Sequence, residues 1–323
     1  MNHTFSAPLN ATEMKSVVFT AVGVLVVTLT ITVTLIGDCL IFAAFYSNTS
    51  IHTRANLFFL SLITADILQA LFVMPLELVR IIHEPSWPVG HLTTKLWNSM
   101  FVCFGTASAC NLAAIGVERY LAIARPLTHH CAIISRRTLA GICFVWIYAI
   151  SSGLYSFFAW ENTEHNEPGF SISLSHAIPL LVLDSLLPLN ICVVSYTLIY
   201  RISVDHSCRM GLLCGWTIDG QKIRIANERK SAKTLSLLVG VFMVGSLPFF
   251  FFHVVDAAFK EQLPNRRYAS HVVKWLCYIN SACNWALYGF LNNDFREVLF
   301  GILKKCHERL FSAFRSNRVV PLL

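Results

Sequence analysis

The chain has 323 residues, of which 55% are apolar and only 13% are charged, and its formal net charge is +7. Soluble domains average about 25% charged residues, so this composition excludes an ordinary soluble protein and favours one that crosses a membrane several times. We interpret the basic excess as a topology signal and an attraction to anionic membrane lipid, and not as a sign of nucleic-acid binding.

Seven stretches contain the roughly 20 apolar residues that a helix needs to span a bilayer. They predict an all-α membrane protein, a seven-transmembrane helix bundle over residues 17–291. An amino-terminal segment, 1–16, precedes the bundle, and a tail, 292–323, follows it. The predicted spans are Val17 to Tyr46, Ala55 to Ile82, Leu96 to Ile123, Leu139 to Trp160, Ile172 to Ile202, Thr234 to Phe259 and His271 to Leu291.

The basic residues predict the orientation of the bundle. Eighteen of the 25 Lys and Arg fall on the side that carries the carboxyl terminus, so this side is expected to be cytoplasmic and the amino terminus extracellular. Two glycosylation sequons, at Asn2 and Asn10, agree with an exterior amino terminus. No cysteine falls in an outer segment, and we therefore expect no extracellular disulfide.

Two cytoplasmic segments have distinct patterns. The third inner loop, residues 203–221, contains three glycines and no strong period, which predicts a mobile loop. After the last span, residues 293–306 place apolar side chains on one helical face and bases on the other, as in a short amphipathic helix at the inner membrane interface. Cys306 is either a palmitoylation site or an unmodified cytosolic thiol.

An acid and a base end the third predicted span, in the tripeptide Glu118-Arg119-Tyr120. An ionised group at the bilayer centre costs about 2.5–3.5 kcal/mol, and less near the interface, so such residues usually serve function. Arg119 requires carboxylate partners, and the two available are Glu118 and Glu228, on the cytoplasmic part of the sixth helix. This pair is either a latch whose opening admits an intracellular partner, or an interfacial ion pair that contributes little.

A second polar group lies near mid-membrane depth on the first, second, third and seventh spans. Two facing carboxylates with hydroxyl and amide neighbours can share a proton or hold a sodium ion. The alternative interpretation is hydrogen bonding between helices without any ion. The members of the group are Asp38, Asp66, Ser108, Asn280, Ser281 and Asn284.

Aromatic and charged side chains on the outer halves of five spans predict a cavity for a small ligand. For any one aromatic residue, packing in the core is the competing interpretation. Asp184 lies in an apolar helix and therefore requires a partner such as Lys274 or a cation of the ligand. The predicted lining residues are Glu77, Phe101, Asp184, Phe249, Phe250, His253, Asp256, Lys274, Trp275 and Tyr278.

Eight of these patterns, in order along the chain, resemble the rhodopsin-like (class A) G-protein-coupled receptors. The resemblance extends from Val17 to Cys306 and implies that binding of a small extracellular ligand activates a heterotrimeric G protein at the plasma membrane, without catalysis. Arrestin is a further candidate partner. The matching elements are Gly37-Asp38, Leu62 to Asp66, Glu118 to Tyr120, Trp146, Pro188 with Tyr196, Phe242 with Pro248, Asn284 to Tyr288, and Phe295-Arg296.

The resemblance also implies roles for individual residues. Arg119 is expected to engage the G protein or Glu228, and Tyr196 and Tyr288 are expected to move toward Arg119 on activation. The implied sodium site consists of Asp66, Ser108 and Asn284.

The chain departs from this family at five positions. Thr94 stands where the family has the third-helix cysteine of its outer disulfide. Asp38 replaces an Asn and doubles the acids at the sodium site, Ser246 replaces the sixth-helix Trp, and Trp285 replaces the Pro of the seventh-helix motif, which predicts a straighter helix. Phe101 occupies the position of the acid that binds the ammonium group in monoamine receptors, so an ordinary monoamine pose is disfavoured.

Two other functions remain open from the sequence. One is a receptor-like seven-helix protein that is constitutively active or does not signal, and the other is a transporter. A transporter is expected to have internal repeats and broken helices at matching positions, which the sequence lacks. The sequence also lacks the metalloprotease, serine-hydrolase and phosphate-loop motifs of common enzymes.

Overall fold

The computed structural model of the chain is helical throughout its regular elements. It describes the backbone of residues 11–84, 88–124, 136–159, 173–213, 219–259, 263, 265–291, 295–302, 304 and 308, and within these ranges the side chains at 11–13, 50, 203–236, 238, 290 and 291 are not described. The predicted glycosylation sites Asn2 and Asn10 and the predicted lipidation site Cys306 lie outside the described residues.

The first three spans are long helices, and the second is interrupted by one wider turn of π-helix. Thr53 caps the second span, where its hydroxyl accepts a hydrogen bond from the backbone N–H of Asn56 over 3.3 Å. The bounds are Ala11–Ser47 for the first span, Arg54–Leu68, Gln69–Val73 (π) and Met74–His83 for the second, and His91–Ala124 for the third.

The last four spans follow the same plan, and the fifth contains a second π-helical segment. A short helix over residues 295–302 follows the seventh span. The bounds are Arg136–Ala159 for the fourth span, Leu174–Pro179, Leu180–Leu186 (π) and Leu187–Leu213 for the fifth, Asp219–Ala258 for the sixth, and Arg266–Leu291 for the seventh.

The first six spans, as far as the structure describes them, are long and apolar enough to cross a membrane. The seventh span is more polar. Its polar side chains point into the bundle, where the span packs against the first and sixth spans. Its buried polar residues are Ser270, His271, Lys274, Asn280, Ser281 and Asn284. The predicted seven-helix bundle is confirmed, and the polar face of the last span lines its interior.

The second and third spans form the centre of the bundle. In the most apolar stretch of each of these two spans, 61% of the residues are buried inside the protein. The corresponding share is 22% for the first span and 33% for the fourth. Polar residues on the two central spans are therefore buried among other helices, whereas most apolar side chains of the first and fourth spans face outward, as expected for contact with lipid.

The predicted third inner loop, residues 203–221, is largely helical in the structure. The fifth helix continues to Leu213 and the sixth helix begins at Asp219, so only residues 214–218 separate their described ends. The glycines misled the prediction, because a glycine inside a helix costs only about 1 kcal/mol relative to alanine. Gly211 accordingly lies within the last turn of the fifth helix.

The seventh helix is α-helical without interruption, in agreement with the replacement of a proline by Trp285. The indole ring of Trp285 packs against Gly37 of the first span, where a Cβ atom would overlap the ring. Glycine is therefore required for this close approach of the two spans. Pro248 likewise lies inside a continuous helix, whereas π-helical segments adjoin Pro75 and Pro179.

The short helix that follows the seventh span packs on the inner end of the bundle. Phe295 is 1% exposed, and its ring contacts Tyr288 and Phe59, with ring centroids 5.4 and 6.0 Å away. Phe300 on the same helix is 57% exposed. This division into one buried and one exposed face agrees with the predicted amphipathic helix.

Candidate ligand cavity and signalling site

A buried ionic cluster connects the outer ends of the second and seventh spans. Glu77, His271 and Lys274 are each 0% exposed. Nδ1 of His271 lies 2.7 Å from Oε1 of Glu77, and Nζ of Lys274 lies 3.8 Å from Oε2 of the same carboxylate. The other ring nitrogen, Nε2, lies 3.0 Å from Oε2 of Glu84, so an imidazolium can donate to both acids.

Lys274 is surrounded by protein groups on its remaining sides. Its Nζ lies 3.8 Å from the centre of the Trp97 ring and 3.3 Å from Oδ1 of Asn98, to which it donates a hydrogen bond. Trp97 is fixed by its own hydrogen bond, from Nε1 to the carbonyl oxygen of Val73 at 2.9 Å. The charge of Lys274 is thus compensated inside the protein.

The rim outside this cluster carries two further ion pairs. Glu84 contacts Arg267 at the start of the seventh span, and Nε of Arg266 donates to Asp256 of the sixth span over 2.7 Å. Burial by itself would raise the pKa of Glu84, but hydrogen bonds from His271 and Arg267 hold that pKa below its usual range. The outer ends of the second, sixth and seventh spans are therefore cross-linked by charge.

A cavity lies deeper in the bundle, between the second, third, fifth, sixth and seventh spans. Phe101, Phe249 and Phe250 form its aromatic wall, with ring centroids 4.7 Å apart for the first two and 5.4 Å apart for the last two. The full set of lining residues is Gln69, Phe101, Val102, Gly105, Ser108, Asp184, Phe242, Ser246, Phe249, Phe250, Cys277, Asn280 and Ser281.

Six of the predicted lining residues do not line this cavity. Glu77 and Lys274 bind each other in the ionic cluster. Trp275 stacks on Phe19, and the rings of His253 and Tyr278 pack behind the aromatic wall. For these aromatic residues the core interpretation is the one that the structure supports. Asp256, which lies at the rim, pairs with Arg266 instead.

Asp184 lines the cavity, and its partners in the structure are two hydroxyl groups and not Lys274. Its Oδ1 accepts a hydrogen bond from the Tyr148 hydroxyl over 3.1 Å, and its Oδ2 accepts one from the Ser152 hydroxyl over 2.5 Å. Both donors belong to the fourth span. Asp184 lies within the π-helical segment of the fifth span, whose extra residue per turn changes the direction in which the following side chains point.

The cavity floor meets the mid-membrane polar group. Ser108 and Ser281 line the floor, and both bind Asp66, with 3.3 Å between Oγ of Ser108 and Oδ1 of the acid. Asn284 donates to Oδ2 of Asp66 over 2.8 Å. Ser246 also lines the cavity, and its small side chain leaves open the space that a tryptophan at this position would fill.

The other two members of the polar group are Asn280 and Asp38. Asn280 faces the cavity, and its Oδ1 has no hydrogen-bond partner among the described residues. Asp38 is 0% exposed, and neither of its carboxylate oxygens has a hydrogen-bond partner in the described part of the chain. In the part of the chain that the structure describes, no group of three or more His, Cys, Asp or Glu side chains is arranged to hold a metal ion.

At the inner end, Arg119 binds the seventh span. Its Nη2 donates to the hydroxyl of Tyr288 over 3.3 Å, and this hydroxyl donates to Oδ1 of Asn56 on the second span over 2.6 Å. Glu118, Arg119 and Tyr120 are all half-buried. The resemblance implies that Tyr288 moves toward Arg119 on activation, and in this structure the two side chains are already in contact.

The other predicted partners of Arg119 are less defined. Tyr196 lies beside Gly116, one helical turn before Arg119, where a Cβ atom on the glycine would be 3.5 Å from the tyrosine hydroxyl. Glu228 lies in the helical backbone of the sixth span, but its side chain is outside the described residues. The proposed latch between Glu228 and Arg119 stays a prediction.

The geometry agrees with the family that the motifs indicated. A sequence profile described as "7 transmembrane receptor (rhodopsin family)" matches residues 37–288, more than three quarters of the chain. The chain belongs to this family. It is a G-protein-coupled receptor and a multi-pass protein of the plasma membrane, and it is not an enzyme, because the family consists of receptors.

Several characterised receptors are similar to this receptor over most of its length. The histamine H2 receptor of Canis lupus familiaris is 28% identical over 90% of this chain and 83% of its own length. The octopamine receptor beta-1R of Drosophila melanogaster is 26% identical over 88% and 62%, respectively. The trace amine-associated receptor 7e of Mus musculus is 29% identical over 81% and 76%.

Sequence reasoning missed several residues of this receptor that the structure brings to the sites. His271 lies three residues before the predicted Lys274 on one helical face, a spacing that indicates a shared neighbour. Trp97 and Asn98 precede the predicted Phe101 by about one helical turn, so their spacing also indicates a shared neighbour. The hydroxyl donors to Asp184, Tyr148 and Ser152, had no signal of their own, because they lie on an otherwise apolar helix.

Proposed function

We propose that this receptor, with its amino terminus outside the cell, converts binding of a small extracellular ligand in the aromatic cavity into activation of a heterotrimeric G protein. The observation that carries the proposal is the contact between Arg119 and Tyr288 at the inner end. One hydroxyl there joins the third, seventh and second spans, so a small rearrangement of the helices changes the surface that an intracellular partner meets.

A chain of contacts supports coupling between the cavity and Arg119. Ser108 and Ser281 face both the cavity and Asp66, and Asn284 binds the same carboxylate. Tyr288 lies one helical turn beyond Asn284 on the seventh span and binds Arg119. A ligand that moves the floor serines would therefore act on the seventh span directly through hydrogen bonds.

We further propose that Asp38 and Asp66 together hold a proton or a sodium ion. The buried, unsatisfied oxygens of Asp38 fit such an occupant, because an isolated buried carboxylate is unstable. Replacing sodium chloride by choline chloride at constant ionic strength should lower the melting temperature of the purified receptor, and Asp38→Asn should remove that difference. A melting temperature that is equal in both salts would exclude sodium and leave the proton.

The function is tested by expressing the full chain in cells and screening amines, purines, lipids and short peptides with cyclic-nucleotide and calcium readouts. A ligand response that Arg119→Ala abolishes, at unchanged surface expression, supports the proposal. Glu228→Ala should raise basal signalling if Glu228 forms the predicted latch with Arg119. Coupling that survives in Arg119→Ala would contradict the proposed role of the arginine.

A second candidate function is constitutive signalling without a ligand. The contact of Tyr288 with Arg119 favours it, because this is the arrangement expected after activation. In that case, cells expressing the wild-type chain should signal above cells that express Arg119→Ala before any compound is added. Equal basal signals in the two would exclude the constitutive function and leave the ligand-dependent one.

A further inference from the structure

We propose that the ligand is a small aromatic amine that binds with its ammonium group on Asp184 of the fifth span and a hydrogen-bond donor on Asn280 of the seventh. This inference rests on the proposed function and deepens it by naming the ligand class. In monoamine receptors an acid of the third span binds the ammonium group, and Phe101 occupies that position here. The ammonium group is therefore expected to point toward the fifth span instead.

The charge of the residues that line the cavity bears on the ligand class. Asp184 is the acidic residue among the described lining residues, and these residues include no lysine, arginine or histidine. Its carboxylate accepts two hydrogen bonds from neutral hydroxyls, which leaves lone pairs for a further donor. A buried carboxylate without a cation is costly, so a cationic ligand is favoured over a neutral or anionic one.

Two other buried acids near the cavity, Glu77 and Asp66, are already occupied, and Asp38 does not line the cavity. Glu77 pairs with Lys274, is hydrogen-bonded to His271 in the outer cluster and does not line the cavity. Asp66 lies behind the floor, where hydroxyl and amide donors satisfy it. A cation that enters from outside therefore meets Asp184 as its available carboxylate within the described cavity.

The remaining walls define the rest of the ligand. Phe101, Phe249 and Phe250 present aromatic surface to a flat apolar body. Asn280 is 5% exposed and offers an Oδ1 that accepts no hydrogen bond from the described residues. An acceptor left unsatisfied in a buried site favours a ligand that donates to it, such as a ring hydroxyl.

Four probes of one shape separate these features. Tyramine carries both the ammonium and the ring hydroxyl, phenethylamine lacks the hydroxyl, and 4-hydroxyphenylethanol and 3-(4-hydroxyphenyl)propionate replace the ammonium by a neutral and an anionic group. Binding is measured by the rise in melting temperature of the purified full-length receptor, titrated to millimolar probe. Tyramine should bind most tightly, phenethylamine more weakly, and the other two should not stabilise the protein.

Matched variants assign each contact. Asp184→Asn should weaken tyramine binding by about tenfold to hundredfold, because a charge-assisted hydrogen bond is lost, while Asp184→Glu should retain the preference for the cation. Asn280→Ala should weaken tyramine severalfold and leave phenethylamine unchanged. Glu297→Gln, which removes an exposed acid on the inner helix, is the control for a change in net charge and should not alter binding.

Three results would overturn the inference: no stabilisation by either amine, tighter binding of the propionate, or equal tyramine affinity in wild type and Asp184→Asn. The unliganded melting temperature of each variant establishes that it is folded. Nucleotide exchange by a G protein, measured on the same preparations, separates this inference from the proposed function. Exchange without amine binding removes only the ligand class, whereas amine binding at Asp184 without exchange removes the receptor mechanism.

Discussion

The outer and inner ends of the bundle are joined by different kinds of contact. At the outer end, opposite charges of Glu77 and Lys274 are buried together between the second and seventh spans. At the inner end, the uncharged hydroxyl of Tyr288 joins Arg119 to Asn56. Breaking a buried ion pair costs about 3–5 kcal/mol, whereas one hydrogen bond contributes about 0.5–3 kcal/mol. The outer end is therefore the fixed frame, and the inner end is the part that rearranges at low cost.

The largest expected effect tests the fixed frame. Lys274→Met leaves the buried Glu77 with one cation fewer and should destabilise the receptor by about 3–5 kcal/mol, measured as a fall in melting temperature. The double variant Glu77→Gln/Lys274→Met should recover most of the loss, because no buried charge of this pair remains. Lys95→Met, at a partly exposed lysine of the third span, should change the melting temperature little. An equal effect of the two lysine variants would remove the contrast between the ends.

A second variant tests whether the cavity links the two ends. Ser246→Trp should fill the space above Ser108 and Ser281 and cost about 1–3 kcal/mol of stability through overpacking. It should also abolish the response to any ligand that binds in the cavity, whereas Ser246→Ala should preserve that response. A ligand that still activates the Ser246→Trp receptor must bind elsewhere. The cavity would then not link the outer and inner ends of the bundle.

A third variant sharpens the description of the inner end. Tyr288→Phe retains the ring stacked on Phe59, with centroids 3.6 Å apart, but removes the hydroxyl that joins three spans. We expect a loss of about 0.5–1.5 kcal/mol in stability and a clear change in basal signalling. Tyr200→Phe, at a tyrosine that is 70% exposed, is the matched control and should be neutral in both measurements. Signalling that is equal in the two variants would place the movable contact elsewhere.

The smallest effect concerns pH at the outer rim. Because hydrogen bonds lower the pKa of Glu84, its contribution to stability is complete above the ordinary glutamate pKa of about 4.3 and is lost as the pH falls through the lower pKa of the folded state. Between pH 6 and pH 3, Glu84→Gln should therefore remove a part of the acid-induced fall in melting temperature worth less than about 1 kcal/mol. An unchanged pH dependence would mean that the rim contributes nothing to the frame.

The fold and the inner site could be predicted from the sequence because their signals are local in the chain. Apolar stretches of bilayer length gave the spans, and Glu118 to Tyr120 and Asn284 to Tyr288 are each contiguous. The mid-membrane group was identified by the cost of burying acids, although its internal bonds were not. Asn280, for example, faces the cavity and not Asp66, a distinction that depends on helix rotation.

The outer site could not be predicted in the same way. His271 and Glu77 are 194 residues apart in the chain, and no local pattern connects them. Asp184 was expected to need a partner such as Lys274 or a cation of the ligand, but it accepts hydrogen bonds from two hydroxyls of the fourth span. It lies in a π-helical segment that changes the phase of the fifth span. Pairings between helices and departures from regular geometry thus account for the residues that sequence reasoning misplaced.

The most direct measurement is guanine-nucleotide exchange by purified heterotrimeric G proteins in the presence of the full-length receptor in lipid nanodiscs. We predict that the wild-type receptor accelerates exchange on at least one heterotrimer, alone or with a cavity ligand, and that Arg119→Ala loses this acceleration while its melting temperature and ligand binding persist. Wild-type exchange rates in Arg119→Ala, or no acceleration of any heterotrimer by the wild-type receptor, would contradict the proposal that its inner end switches G proteins.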